Sequence, residues 1–109
     1  MTIDFNNIAE EIIPNFKGGE KDYAAKMMFD GKVRIMKGRL IPGASIGLHT
    51  HTTNCEVIFM LKGEATLLHE GETSVLREGR CHYCPKGESH SIKNNGEVDV
   101  EFYAVVAEQ

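Results

Sequence analysis

From Tyr23 onward, apolar residues fall in short runs that glycine-centred turns interrupt at regular intervals, and no segment of useful length carries a helical period. That pattern predicts strands. Asp30-Gly31 separates Ala25–Phe29 from Val33–Ile35, and Asn95-Gly96 separates His90–Ile92 from Val98–Val106. Both dipeptides suit the positive backbone angles of two-residue turns, so each predicts a hairpin. Further breaks at Pro42-Gly43, Lys62-Gly63, Glu70-Gly71, Glu78-Gly79 and Pro85-Lys86-Gly87 bring the expectation to roughly eight or nine strands. Before Tyr23 the pattern is weaker. Asn7 three positions ahead of Glu10 resembles a capping box, but Ile8, Ile12 and Ile13 support only about two turns of helix, and a strand or irregular arm fits equally well. The expected organisation is one all-β domain, with an arm over residues 1–22 and a barrel over 23–109.

Composition narrows the function classes. At 109 residues the chain buries roughly two thirds of its unfolded surface without disulfide staples. A formal charge of -4 gives no basic footprint for nucleic acid and no polybasic membrane patch. No apolar run reaches the length of a membrane span, and Met1–Asn15 lacks the order of a signal peptide. The expectation is a cytoplasmic protein with a small-molecule ligand or substrate. Three cysteines, Cys55, Cys81 and Cys84, favour free thiols.

The chemistry concentrates in His49, His51, Glu56 and His90. Three imidazoles and one carboxylate are a ligand set for a divalent first-row metal such as Mn, Fe, Ni or Zn. Alternate residues of a strand share a face, so His49 and His51 point the same way. After the turn at Thr52–Asn54, Glu56 opens a run to Leu61 that can fold back antiparallel toward them. His90 must arrive from a distant strand, as a closed barrel allows. On the strand of Glu56, Ile58 and Met60 share its face and are expected in the pocket wall, whereas Val57, Phe59 and Leu61 form an opposite apolar face that needs a cover. Tyr83 is a further expected pocket residue. Cys81 and Cys84 lie three apart on one expected strand, so their sulfurs point to opposite faces and do not form a thiol site. Cys55 is expected to face away from the metal, and His69, beside Glu70-Gly71, to be solvated.

These residues resemble the cupins, a family of small metal-binding β-barrels. The first cupin motif is a glycine, five residues, His-x-His, three or four residues, Glu, six residues and a glycine; Gly43, His49, His51, Glu56 and Gly63 match it throughout. The second is a glycine, five residues, Pro-x-Gly, two residues, His, three residues and Asn; Gly79, Pro85, Gly87, His90 and Asn94 match it as well. One departure is Arg80, where the family often has an acidic residue. The resemblance implies a double-stranded β-helix with one metal held by His49, His51, Glu56 and His90. It also implies a homodimer, with the arm residues Ile3, Phe5, Ile8, Ile12 and Ile13 covering the second face of the Glu56 strand within one chain or across a twofold axis. Similar cupins include dioxygenases, isomerases, decarboxylating enzymes and ligand sensors. The leading expectation is a metal-dependent enzyme on a chelating substrate, dioxygenase-like before isomerase-like. The alternatives are a non-catalytic binding or sensing module and a structural zinc site that chelation would unfold.

Overall fold

A computed structural model describes all of residues 1–109 as ten strands in two antiparallel sheets. The strands are β1 (Glu11–Pro14), β2 (Asp22–Phe29), β3 (Val33–Leu40), β4 (Ser45–Thr50), β5 (Asn54–Lys62), β6 (Glu64–His69), β7 (Glu72–Arg77), β8 (Cys81–Cys84), β9 (Ser89–Lys93) and β10 (Val100–Glu108). One sheet has the order β1-β2-β3-β10-β5-β8 and the other β4-β9-β6-β7. No helix is long and apolar enough to cross a membrane.

The core fills the space between the sheets, with Tyr23, Leu40, Ile58, Val100 and Phe102 essentially inaccessible. Parity decides which side chains reach it. On β3, Arg34, Met36, Gly38 and Leu40 face inward, and they pair in register with Phe29, Met27, Ala25 and Tyr23 of β2 and with Val106, Ala104, Phe102 and Val100 of β10. Gly38 is required there: a Cβ would meet the Phe102 ring at 2.5 Å and the Tyr23 ring at 2.9 Å.

The Asp30-Gly31 turn joins paired strands, β2 and β3, as expected. The Asn95-Gly96 turn does not. β9 pairs with β4 and β6, and β10 with β3 and β5, so this turn carries the chain from one sheet to the other. Asn94 organises the crossing. Its fully buried amide donates to the carbonyls of Leu40 and Val98, and its Oδ1 accepts from the Gly96 N–H at 2.9 Å. An asparagine that satisfies its own turn, the nearby Val98 carbonyl and the distant Leu40 carbonyl explains the last position of the second motif.

Residues 1–22 form no α-helix. Asp4, not Asn7, caps a short 3-10 turn over Phe5–Asn7. β1 then adds to the edge of the larger sheet beside β2, and a loop around Phe16–Gly18 settles on β4. The contact is backbone to backbone: a Cβ on Gly47 would overlap the carbonyl oxygen of Lys17 and lie 2.8 Å from the Gly19 nitrogen, and one on Gly19 would overlap the carbonyl oxygen of Ser45. Two facing glycines therefore allow the arm to form part of the barrel wall. The arm does not cover the outer face of β5. Phe59 and Tyr83 remain about half exposed there, while the arm touches the sheet's outer side through Phe5, stacked on Tyr103 at 5.4 Å, and Glu10, paired with Arg39.

Candidate metal centre

The hydrogen-bond register brings the four sequence-predicted ligands together. His49 of β4 pairs directly with His90 of β9, while Glu56 comes from β5 in the facing sheet. His51 sits one residue beyond β4, where its N–H donates to the Glu88 carbonyl and its own carbonyl accepts from Gly87. One donor atom from each of the four lies within 4.8 Å of the others. His51, Glu56 and His90 are buried, and His49 is half-buried.

Each imidazole is held by its Nδ1. That of His49 donates to the Gly47 carbonyl at 2.7 Å, that of His51 to Asn54 Oδ1 at 2.6 Å, and that of His90 to His82 Nε2 at 2.9 Å. With the proton on Nδ1, every Nε2 presents a lone pair inward, the arrangement by which outer partners fix metal-ligating histidines. His51 Nε2 and His90 Nε2 are 2.9 Å apart and lie 3.2 and 3.0 Å from Glu56 Oε1. Three such atoms at these separations need a proton or a metal cation among them, so the donor set fits a metal. Together, His49, His51, Glu56 and His90 could hold a divalent ion.

The ionisation of the site agrees with this. Burial pushes the Glu56 carboxyl up, but hydrogen bonds with His51 and His90 outweigh it and hold the pKa at about 2. The bond to Glu56 raises His51, because a proton there is the substitute when no metal is present. Burial lowers His49.

A cavity of about 510 Å³ opens beside the ligands. His49, His51 and Glu56 reach it, together with apolar Ile13, Phe16, Met27, Met36, Ile46 and Val106, and with Tyr23, Lys17 and Arg34. Three expected pocket residues are absent from its wall. Ile58 and Met60 share the face of Glu56 but are sealed in the core beneath it, 2% and 4% exposed. Tyr83 is 53% exposed on the outer surface, because His82 and Cys84 take the inward positions of β8 opposite Ile58 and Glu56. Cys81 is exposed and Cys84 buried on opposite faces of that strand, and all three cysteines are free.

Behind His90 lies a second line of imidazoles. His82 is buried and lowered to about 4, by desolvation first and then by the neighbouring His90 and His69. The His69 ring centroid is 5.0 Å from that of His82, and its Nε2 lies 2.7 Å from Glu88 Oε1, close enough for an ion pair but not aligned as a hydrogen bond. His69 is thus partly enclosed instead of solvated. His82, Cys84 and His90 form a further buried group of possible donors within 4.8 Å. Its central contact is the hydrogen bond that pins His90. Burial, with the charge of Glu56 second, pushes the Cys84 thiol up to about 11, so it is no ready thiolate.

Residues 36–106 match the family model for the cupin domain. The chain belongs to the cupin family and is a single-domain double-stranded β-helix barrel. An oxalate-binding protein of Thermotoga maritima is 32% identical over 112 residues, spanning 97% of this chain and 93% of the relative. The crystal structure of a predicted oxalate decarboxylase from Thermotoga maritima superposes with a TM-score of 0.93 at 31% identity over the whole of both chains. The cupin domain of Schizosaccharomyces pombe Cnp3 has a TM-score of 0.81 at 15% identity, covering all of this chain and 74% of that one, and it bears on the fold alone.

Proposed function

We propose that this cupin uses His49, His51, Glu56 and His90 to hold a divalent metal ion that binds a small chelating carboxylate, oxalate being the first compound to test. The carrying observation is the convergence of three Nδ1-pinned imidazoles and one ionised carboxylate beside an open cavity. Charge supports an anionic ligand. Glu56 is the only carboxylate in the cavity wall, while Lys17 and Arg34 both line it. The oxalate-binding relative supports the same class. A bound dication would act as a Lewis acid that polarises the ligand oxygens. The chain's own residues orient that centre, exclude water along the apolar wall and set a positive potential in the cavity.

Binding without turnover is favoured over an isomerase because the wall lacks a poised acid or base. The Tyr23 hydroxyl is committed to Met36 Sδ at 3.6 Å, and burial raises its pKa. A dioxygenase-like reaction is the second reading, favoured by the cavity that opens beside the donor set. Calorimetry of oxalate with Mn-loaded and metal-free protein tests the first. Binding that requires metal is the expected result, and equal binding by both forms refutes it. Oxygen uptake by the iron-loaded protein with keto acids or phenols would establish the second.

The proposed assembly is a homodimer through the outer face of the larger sheet. Phe59, Tyr83 and Tyr103 are exposed there by 47%, 53% and 38% in neighbouring registers. Sedimentation should give a dimer at micromolar concentration, and Phe59→Glu a monomer.

A further inference from the structure

The cavity is larger and more polarised than a two-carbon dianion requires. Its volume of about 510 Å³ falls among sites that enclose drug-sized molecules, roughly 300–1,000 Å³, and oxalate would fill a small part of it. The register orders its contents. Glu56 pairs with Val106 and Val106 with Arg34, so the three share one inward row across β5, β10 and β3. Glu56 and Arg34 therefore stand two interstrand spacings, roughly 10 Å, apart. Val106 lies between the two in that row, and Met27 and Met36 add apolar surface to the same cavity wall.

Arg34 is an unusual inward residue. Its guanidinium lies 4.3 Å above the Phe29 ring and Nη1 reaches Met27 Sδ at 3.6 Å. It makes no ion pair with any carboxylate, and neither does Lys17. Aromatic and thioether contacts fix the plane of the guanidinium without neutralising it, which leaves its donors free for a planar anion. Lys17 enters from the loop seated on β4, in the left-handed region at φ 56, with Nζ 5.4 Å from the Phe16 ring. A lysine held in that region is backbone strain at the edge of a binding cavity.

Taking the metal-chelation reading above as its basis, we propose that the ligand is a chain-extended dianion: a chelating carboxylate head, an apolar body of several carbons, and a terminal anionic group received by Arg34. Lys17 adds to the positive potential around it. Arg34 is then a specificity-determining residue that selects length and terminal charge.

The test compares 2-oxohexanoate with 2-oxohexanedioate, which share a head and carbon chain and differ in a terminal carboxylate, using oxalate as the head-only probe. Affinities are measured by calorimetry on Mn-loaded wild type, Arg34→Gln and Arg34→Lys at equal metal occupancy. Wild type should bind the diacid at least tenfold more tightly than the monoacid. That ratio should fall to near one in Arg34→Gln and be partly restored in Arg34→Lys. Oxalate binding with no preference between the keto acids overturns the inference while leaving the metal reading intact. A preference that persists in Arg34→Gln overturns the assignment to Arg34. Failure of all three probes to bind metal-loaded protein removes the metal reading and this inference with it.

Discussion

Acidification of the metal-free protein should cost about 3 kcal/mol of stability through His82 alone. In the unfolded chain this imidazole takes a proton near its ordinary value of 6.5, whereas in the folded barrel it does so only near 4. Between those values the unfolded state binds more protons than the native one, so stability falls as the pH falls. The contribution is fully present above 6.5 and is lost by the time the pH has passed through about 4. That interval, at about 1.4 kcal/mol per pH unit, amounts to about 3 kcal/mol. For a domain of this size the melting temperature should drop on the order of 10 °C. The cause is structural: His82 is 8% exposed, with His90 and His69 both nearby, so a charge there meets poor solvation and like neighbours. The assay is urea unfolding of metal-free wild type and His82→Gln at several values from about pH 7.5 to about pH 4. His82→Gln keeps an acceptor in reach of His90 without a ring that titrates, and Glu56 and His51 titrate in both proteins. The difference between the two curves should change by about 3 kcal/mol across the interval. Parallel curves would refute the reasoning.

Three further outcomes follow from the same geometry. His49→Ala and His51→Ala should abolish metal retention after desalting, and Glu56→Gln should weaken it by removing the only anionic donor; His90→Ala that retains metal like wild type would show that the fourth ligand is misassigned. Metal affinity, followed by competition with a chelating dye, should begin to weaken while the pH is still above 6.5, because hydrogen bonding to Glu56 raises His51 and the metal must displace that proton. Gly47→Ala should destabilise the fold by about 3 kcal/mol, the upper end of overpacking, since its Cβ would meet backbone atoms of Lys17 and Gly19 that cannot rotate away; limited proteolysis should then cut the arm faster, and unchanged cleavage would count against the seam.

The candidate metal-ligating cluster was legible because its requirement is chemical and its spacing local. His49 and His51 share a strand face by parity, and the glycine frame marks the turns: Gly43, Gly63, Gly79 and Gly87 all have φ between 81 and 90. What stayed hidden depended on pairing between distant segments. Asn95-Gly96 has the composition of a hairpin turn, but which strands pair on either side is settled by the closure of the barrel. Tyr83 and His82 alternate along β8, and only the pairing of Ile58 with His82 decides which of them is inside. Arg34 could have been found. It alternates with Met36, Gly38 and Leu40 along one strand face, and a cation in an otherwise core-facing series marks the mouth of a cavity. The role of the arm had no local signal, because Gly19 and Gly47 acquire their meaning only when they face each other.

That seam ties the front of the chain to the first of the candidate ligands. Gly47 leaves room for the Lys17 carbonyl on one side, while its own carbonyl anchors the ring of His49. A chain shortened by its first twenty residues would thus lose more than a tail. It would lose a side of the cavity and the brace on the His49 imidazole, so a shortened chain that failed to retain metal would report the missing wall and not the four candidate donors.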